Sequence, residues 1–227
     1  MDKFENVIFF NYKIEQKDKK TAEILRKQRE FLENTASDLI EVKKKEELLK
    51  NKDVLERLVK LFLIIYFMSE NRGDYNRCAL LSYRILEVLM QHRLLNFGIS
   101  PEKGSKKLEE AEIKKNFSRI AKQVFNEEWD LRNGKITLMA GLVLVCVLAN
   151  EDEGILGQIQ ERIKTRNNMW LEHKFSNVNK ESAEKLIGSV YEYMKRVLSK
   201  RKFKAIVGYS EGFLNNFLKT LDYIDDI

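Results

Sequence analysis

Hydrophobic residues recur every three or four positions along most of the chain, which is the period of an amphipathic α-helix. The clearest example spans residues 75–96, where leucine, isoleucine and methionine follow this spacing. A second stretch, 136–149, is 14 residues long and apolar except for Thr137. A membrane-spanning helix needs about 20 such residues, so this stretch predicts a helix buried in a protein core.

The predicted fold class is an all-α bundle of about seven or eight helices with an N-terminal helical extension and no definite strand. One or two helices lie within 14–50, with a predicted interruption at 35–38. The others are predicted at 54–68, 75–96, 106–124, 136–149, 155–170, 181–198 and 203–223. Residues 4–12 predict either a short strand or an irregular lead-in. Asp53 and Asp74 are placed to cap the helices that follow them.

The composition agrees with long helices and argues against two classes of protein. Pro101 is the only proline among 227 residues, whereas turn-rich β proteins use proline freely. The two cysteines, Cys78 and Cys146, lie in apolar helical patterns, which predicts buried free thiols rather than a disulfide-bonded secreted domain. The first residues are charged and lack the apolar core of a signal peptide, so we expect a soluble, cytoplasmic protein without a membrane partner.

The distribution of charged residues suggests two regions. Residues 1–50 are rich in lysine and glutamate and predict an N-terminal helical extension or linker, while 51–227 predict the main helical domain. The whole chain carries 41 Lys and Arg against 35 Asp and Glu, a formal charge of +6. This modest excess permits RNA, DNA or an acidic partner without requiring one.

Few of the usual catalytic or metal-binding patterns occur. The chain has only two histidines, His92 and His173, and its cysteines are far apart, so no zinc-binding spacing is present. There is neither a glycine-rich phosphate loop nor a G-x-S-x-G elbow. The abundant acidic residues leave a carboxylate-only metal site open, although no spacing singles one out. We expect no cofactor.

One segment combines residue types suited to RNA cleavage: Arg166, Asn167 and, six positions later, His173. The 2′-hydroxyl of RNA can attack the adjacent phosphate, so an enzyme has only to move protons, stabilise phosphoryl charge and hold the attack in line. Histidine moves protons near neutral pH, and arginine offers permanently charged donors to phosphate oxygens. Asparagine can donate its amide to a phosphate or orient the histidine. The alternative is a solvated helix face followed by an ordinary loop histidine.

This segment resembles the arginine–polar–histidine motif of HEPN endoribonucleases, with five residues between Asn167 and His173. The stretch from Asp74 to Glu87, which contains Tyr83-Arg84-x-x-Glu87 and continues to a glutamine and a Gly-Ile turn, is also similar to a known helix. That helix occurs in the CRISPR-associated HEPN ribonucleases of type III systems. The resemblance covers about residues 54–200.

The resemblance implies a HEPN-like helical bundle that cleaves single-stranded RNA without a metal ion, in CRISPR-linked antiviral defence. It implies a homodimer whose two motifs form one composite site, with the catalytic roles carried by Arg166, Asn167 and His173. Family members usually also carry a CARF sensor domain, which binds cyclic oligoadenylate. Because no βαβ alternation is present here, we expect either the nuclease part of a longer protein or a stand-alone HEPN protein.

Two further groups of residues are assigned beside the motif. A polar stripe on the predicted helix 75–96 is expected to support packing beside the site, with a buried arginine–glutamate pair: Tyr83, Arg84, Glu87 and Gln91. Basic residues near the motif in sequence are predicted to contact RNA phosphates: Lys174, Lys195, Arg196, Lys200 and Arg201. Lys174 stands where relatives often have a small residue.

Two alternative functions stay open at this point. The motif can be coincidental in a non-catalytic helical interaction or RNA-binding module, which would bind its partner without forming product. The chain can also be a HEPN toxin held by a separate nucleotidyltransferase antitoxin, which keeps the chemistry and changes the biology. Neighbouring genes distinguish this toxin from a CRISPR-linked enzyme.

Overall fold

A computed structural model of the chain describes residues 19–41, 45–131, 134–171 and 178–225. These ranges contain nine α-helices and one 3₁₀-helix, and no strand is assigned within them. The α-helices are α1 Lys19–Glu41, α2 Lys45–Lys50, α3 Lys52–Asn71, α4 Tyr75–Asn96, α5 Ala111–Phe125, α6 Leu138–Ala149, α7 Gly154–Leu171, α8 Lys180–Val197 and α9 Lys200–Asp225. The 3₁₀-helix, Lys106–Glu109, precedes α5. The predicted all-α fold is confirmed, while residues 4–12 lie outside the described ranges.

Helix α4 lies at the centre of the bundle and packs against α2, α3, α6 and α8. Its buried side chains run from Cys78 and Ala79 in the first turns to Leu94 and Leu95 in the last. Helix α4 needs neighbouring helices on several sides, because any apolar face without such a neighbour would be exposed to water. Helix α3 packs in turn against α9, and α1 lies against both of them.

Helix α1 packs on the rest of the bundle through buried and aromatic contacts. The amide of Gln28 donates to the carbonyl oxygen of Phe213 at 3.1 Å. The ring of Phe31 lies 5.4 Å from that of Tyr209 and 6.2 Å from that of Phe213. This part of the Lys- and Glu-rich region 1–50 therefore contributes apolar and polar contacts to α9.

Helices α7 and α8 are antiparallel, and contacts at their ends define the two ends of the bundle. Asp152, just before α7, accepts a hydrogen bond from Arg196 near the end of α8. Val178, just before α8, donates to Asn76 at the start of α4. The C-terminal end of α7 and the N-terminal ends of α4 and α8 therefore lie together. We call this the motif end of the bundle.

Two of the predicted helix boundaries are wrong. The predicted interruption at 35–38 does not occur, because α1 continues to Glu41 and the hydroxyl of Thr35 donates to the carbonyl oxygen of Phe31 at 2.7 Å. Such a bond to the preceding turn accommodates threonine within a helix. The single helix predicted at 106–124 is two helices, because Glu110 between them has a ψ angle of 126°, outside the helical range.

The two predicted N-caps have different outcomes. Asp74 caps α4 as predicted, since its carboxylate accepts from the backbone N–H of Arg77 at 3.1 Å. Asp53 does not cap α3: the side-chain oxygen of Asn51 accepts from the N–H groups of Asp53 at 2.9 Å and Val54 at 3.3 Å. Asp53 lies instead in the first turn, where a negative charge suits the helix dipole.

Residues 138–149 of the predicted run form α6, which is largely buried, as predicted. It lies close to the side chain of the buried Met90 of α4 at Gly141, where an added Cβ atom would be 2.3 Å from the Met90 sulfur. A side chain at position 141 would therefore displace the side chain of Met90. None of the described helices is both long enough and apolar enough to cross a bilayer.

Gly141→Ala is expected to lower the free energy of unfolding by about 1–3 kcal/mol, because the side chain of Met90 is buried and must be displaced within the core. The measurement is urea unfolding. Gly208 in α9 provides the matched control, since nothing lies within 4 Å of a Cβ atom built there. Gly208→Ala is expected to raise stability by about 0.5–1 kcal/mol. Equal changes in both variants would contradict the close packing of α4 on α6.

Candidate functional site

The motif residues lie at and beyond the C-terminal part of α7. Arg166 and Asn167 are within this helix, Gly154–Leu171. His173 and Lys174 lie outside the described residues. The geometry around the candidate site is therefore given by the parts of the chain on either side of residues 166–173, which are α7 before them and Val178 with α8 after them.

Before the motif, α7 is hydrogen-bonded to α8 through Arg162. The guanidinium of Arg162, half-buried and four residues before Arg166, donates to the carbonyl oxygen of Lys185 at 2.5 Å. The same nitrogen donates to the hydroxyl of the buried Ser189. The buried Ile159 and Ile163 flank Arg162 along α7. The last described side chains of α7 before the motif are thus packed or hydrogen-bonded.

After the motif, the chain is hydrogen-bonded to the start of α4. The backbone N–H of Val178, five residues after His173, donates to Oδ1 of Asn76 at 2.8 Å. The side chain of Asn179 then caps α8 by accepting from the N–H of Ser182 at 2.8 Å. Because Asn76 lies in the first turn of α4, the start of the central helix is tied directly to the chain that follows the motif.

The predicted basic cluster lies at the other end of α8 from the motif. Lys195 is 15 residues after Lys180, and an α-helix rises about 1.5 Å per residue, so the two are about 22 Å apart along the helix. Lys195 pairs with Glu192 at 2.6 Å, and Arg196 donates to the carbonyl oxygen of Asp152 at 2.6 Å. Among the predicted RNA contacts that the structure describes, two are exposed in the first turn of α9: Lys200 and Arg201.

The polar stripe on α4 is arranged differently from the prediction. Arg84 and Glu87 form an ion pair at 2.6 Å, but the side chain of Arg84 is 52% exposed, so the expectation of a buried pair is wrong. Tyr83 is half-buried. Gln91 is buried, and its Oε1 atom has no hydrogen-bond partner among the described residues. Because α4 is the central helix, polar residues a few turns apart along it meet very different surroundings.

The other histidine, His92, has a structural role. It is buried, and its Nδ1 atom lies 2.5 Å from the carbonyl oxygen of Leu49. Because a carbonyl oxygen only accepts, Nδ1 carries the proton. The Nε2 atom lies 3.0 Å from the side-chain amide of Asn96. His92 thereby connects α2 to α4.

The two cysteines are buried free thiols, as predicted. Burial raises the pKa of Cys78 to about 12 and that of Cys146 to about 11. Both thiols are therefore protonated and weakly nucleophilic at neutral pH. Within the described ranges, no group of three or more His, Cys, Asp or Glu side chains is arranged to hold a metal ion.

Sequence reasoning did not identify Arg162 or Asn76. Arg162 binds acceptors 23 and 27 residues away, and Asn76 binds a backbone group 102 residues away. No local spacing distinguishes such residues from other polar positions on a helix. The only available signal was that Arg162 lies one turn before Arg166.

Comparison with known proteins agrees with this helical arrangement. Residues 67–197 match the family of the Csm6 HEPN domain, and this range is more than half of the chain. The protein therefore belongs to the Csm6 HEPN domain family, a CRISPR-associated family whose membership supports a ribonuclease-type role. The matched range contains both the segment 166–173 and the whole of α4. A search of curated proteins gave no match.

Proposed function

We propose that this protein is a metal-independent endoribonuclease that cleaves single-stranded RNA in CRISPR-linked antiviral defence. One observation carries the proposal: the match to the Csm6 HEPN domain spans Arg166, Asn167 and His173. The contacts of α7 with α8, and of Val178 with α4, support it because they define the backbone on both sides of these residues.

In this proposal, the nucleophile belongs to the substrate. The 2′-hydroxyl attacks the adjacent phosphorus, the P–O5′ bond breaks, and a 2′,3′-cyclic phosphate and a 5′-hydroxyl form. His173 accepts or donates a proton. Arg166 stabilises the charge on the non-bridging oxygens, which a metal ion would otherwise do. Asn167 donates its amide to a phosphate oxygen or orients the imidazole.

A second copy of the chain completes the proposed site. The reaction requires a base at the 2′-hydroxyl and an acid at the departing 5′-oxygen at the same time. One imidazole cannot do both in a single step, whereas two facing motifs supply one histidine for each task. The proposed regulator is a CARF sensor domain that binds cyclic oligoadenylate in a longer form of the protein.

The proposed chemistry is tested with a chimeric substrate. A labelled single-stranded RNA is compared with the same strand carrying one 2′-deoxynucleotide at the main cleavage position. The expected result is that cleavage at this position disappears, while cleavage elsewhere continues and leaves 2′,3′-cyclic phosphate ends. Undiminished cleavage at the deoxynucleotide would reject 2′-hydroxyl attack. Binding without any product would support the interaction-module alternative.

The exposed cations at the start of α9 are expected to contact long RNA only. Removing both, by Lys200→Ala with Arg201→Ala, should reduce the slope of log K against log salt concentration by up to about 1.4 for a long single strand. Cleavage of an RNA of about three nucleotides should not change, because the 18-residue helix α8, about 27 Å long, separates these cations from the motif end.

The matched control for these cations removes two exposed lysines elsewhere, Lys103→Ala with Lys106→Ala. It changes the net charge equally and should leave the salt dependence of RNA binding almost unchanged. If both double variants lower the slope equally, the contribution is overall charge rather than a contact at α9. If the short and long RNAs lose cleavage equally, the assignment of Lys200 and Arg201 is also wrong.

A further inference from the structure

We infer that Arg162 and Asn76 are positioning residues for the ribonuclease site, one on each side of the motif. The inference rests on the proposed function, because it concerns the geometry of that same site. Both residues lie outside the segment 166–173, and neither was assigned a role from the sequence. Each makes a specific contact between elements that are distant in the chain.

Arg162 defines how α7 sits on α8. Its two acceptors, the carbonyl oxygen of Lys185 and the hydroxyl of Ser189, are one turn apart on α8. A planar guanidinium that binds both resists sliding and rotation of α7 along its neighbour. Because a helix is stiff over one turn, this contact sets the position of the backbone four residues later, at Arg166.

The acceptors of Arg162 are neutral, which separates its role from that of an ordinary ion pair. A carbonyl oxygen and a hydroxyl orient the guanidinium through directed hydrogen bonds rather than through attraction between opposite charges. Arg166 lies one helical turn further along α7. Arg162 therefore holds α7 in register with α8 directly before the motif.

Asn76 acts on the other side of the motif. Its Oδ1 atom accepts from the backbone N–H of Val178, which is the first described residue after the motif. The side chain of Asn76 is exposed, so water competes for this hydrogen bond and its contribution to stability is small. Its effect is instead to place the chain after His173 against the first turn of α4.

The two contacts lie on either side of the segment that carries the whole motif. Arg162 and Val178 are 16 residues apart, and all three proposed catalytic residues lie between them. In-line attack on phosphorus depends on the alignment of the reacting groups, and a misplacement of about 1 Å can lower a rate by about 100-fold. Loss of either contact should therefore reduce kcat more than it reduces RNA affinity.

The test compares variants of the full chain by kcat, KM for single-stranded RNA, and Tm. Arg162→Met keeps the aliphatic packing and removes the donors, and is expected to lower kcat by about 10- to 100-fold with KM within about twofold. Ser189→Ala removes one acceptor and should lower kcat by about three- to tenfold. Lys185→Ala is the matched control, because it retains the carbonyl oxygen, and kcat should stay unchanged.

Asn76 allows rescue by a conservative variant. Asn76→Ala should lower kcat by about tenfold with little change in Tm. Asn76→Asp keeps an oxygen acceptor for the N–H of Val178 and should return kcat to within about threefold of wild type. Equal losses in the alanine and aspartate variants would overturn the role of Asn76.

The outcomes separate this inference from the proposed function. Cleavage by the wild type that His173→Ala abolishes, but that Arg162→Met leaves at the wild-type kcat, rejects the positioning role alone. An equal loss of kcat in Arg162→Met and Lys185→Ala also rejects it, because the effect would then not depend on the hydrogen bonds. Absence of His173-dependent cleavage by the wild type rejects the proposed function, and the positioning roles fall with it.

Discussion

Replacing His173 by alanine is expected to lower the single-turnover rate of RNA cleavage by about 10³- to 10⁴-fold. General acid–base catalysis contributes about 10²- to 10⁴-fold to a rate. In a site built from two copies, the substitution removes both the base and the acid. The rate should be measured at saturating enzyme on a labelled single strand, so that a change in affinity does not contribute.

His92 provides the control for this experiment. It is buried and bound to the carbonyl oxygen of Leu49, so His92→Asn should lower Tm but leave the rate per folded molecule near that of the wild type. Arg166→Ala should lower the rate by about 10²- to 10³-fold, because charge stabilisation at the phosphate is lost. Full cleavage by His173→Ala would contradict the assignment of the motif.

The largest effect on stability is expected at Arg93. Its guanidinium forms two hydrogen bonds with the carboxylate of Glu151, at 2.7 and 2.6 Å, and connects the end of α4 to the segment that leads into α7. The side chains are 13% and 26% exposed. Arg93→Met should lower the free energy of unfolding by about 2–3 kcal/mol, somewhat less than the roughly 3–5 kcal/mol of a fully buried pair.

The control for Arg93 is an exposed pair on the same helix. Arg84 pairs with Glu87 at 2.6 Å, and its side chain is 52% exposed. Arg84→Met should therefore change the free energy of unfolding by less than about 1 kcal/mol. Both free energies come from urea titrations under one set of conditions. Equal losses in the two variants would show that burial of the Arg93 pair does not determine its contribution.

Much of the fold could be predicted, because hydrophobic spacing is a local property. The helices from α3 to α9 follow the predicted periods, and the apolar run at 136–149 is the buried helix α6. The wrong N-cap of α3 reflects competition between similar local choices. Asn51 and Asp53 are both good capping residues two positions apart, and only the backbone of the folded chain shows that Asn51 is the cap.

The site was less predictable, because its geometry depends on packing between distant segments. The spacing of Arg166, Asn167 and His173 is visible in the sequence, whereas the contact of Asn76 with Val178 joins residues 102 positions apart. Residues that are near each other in sequence can also lie far apart in the fold. The 18-residue helix α8 separates Lys200 from the motif end, although the two follow one another closely along the chain.

The central claim is that this chain cleaves single-stranded RNA at the motif without a metal ion. The most direct test incubates the wild type and the double variant Arg166→Ala/His173→Ala with labelled single-stranded RNA in excess EDTA. A duplex of the same sequence is included for comparison. We predict cleavage of the single strand by the wild type alone and little cleavage of the duplex. Equal cleavage by the double variant, or cleavage only after a divalent metal is restored, would contradict the claim.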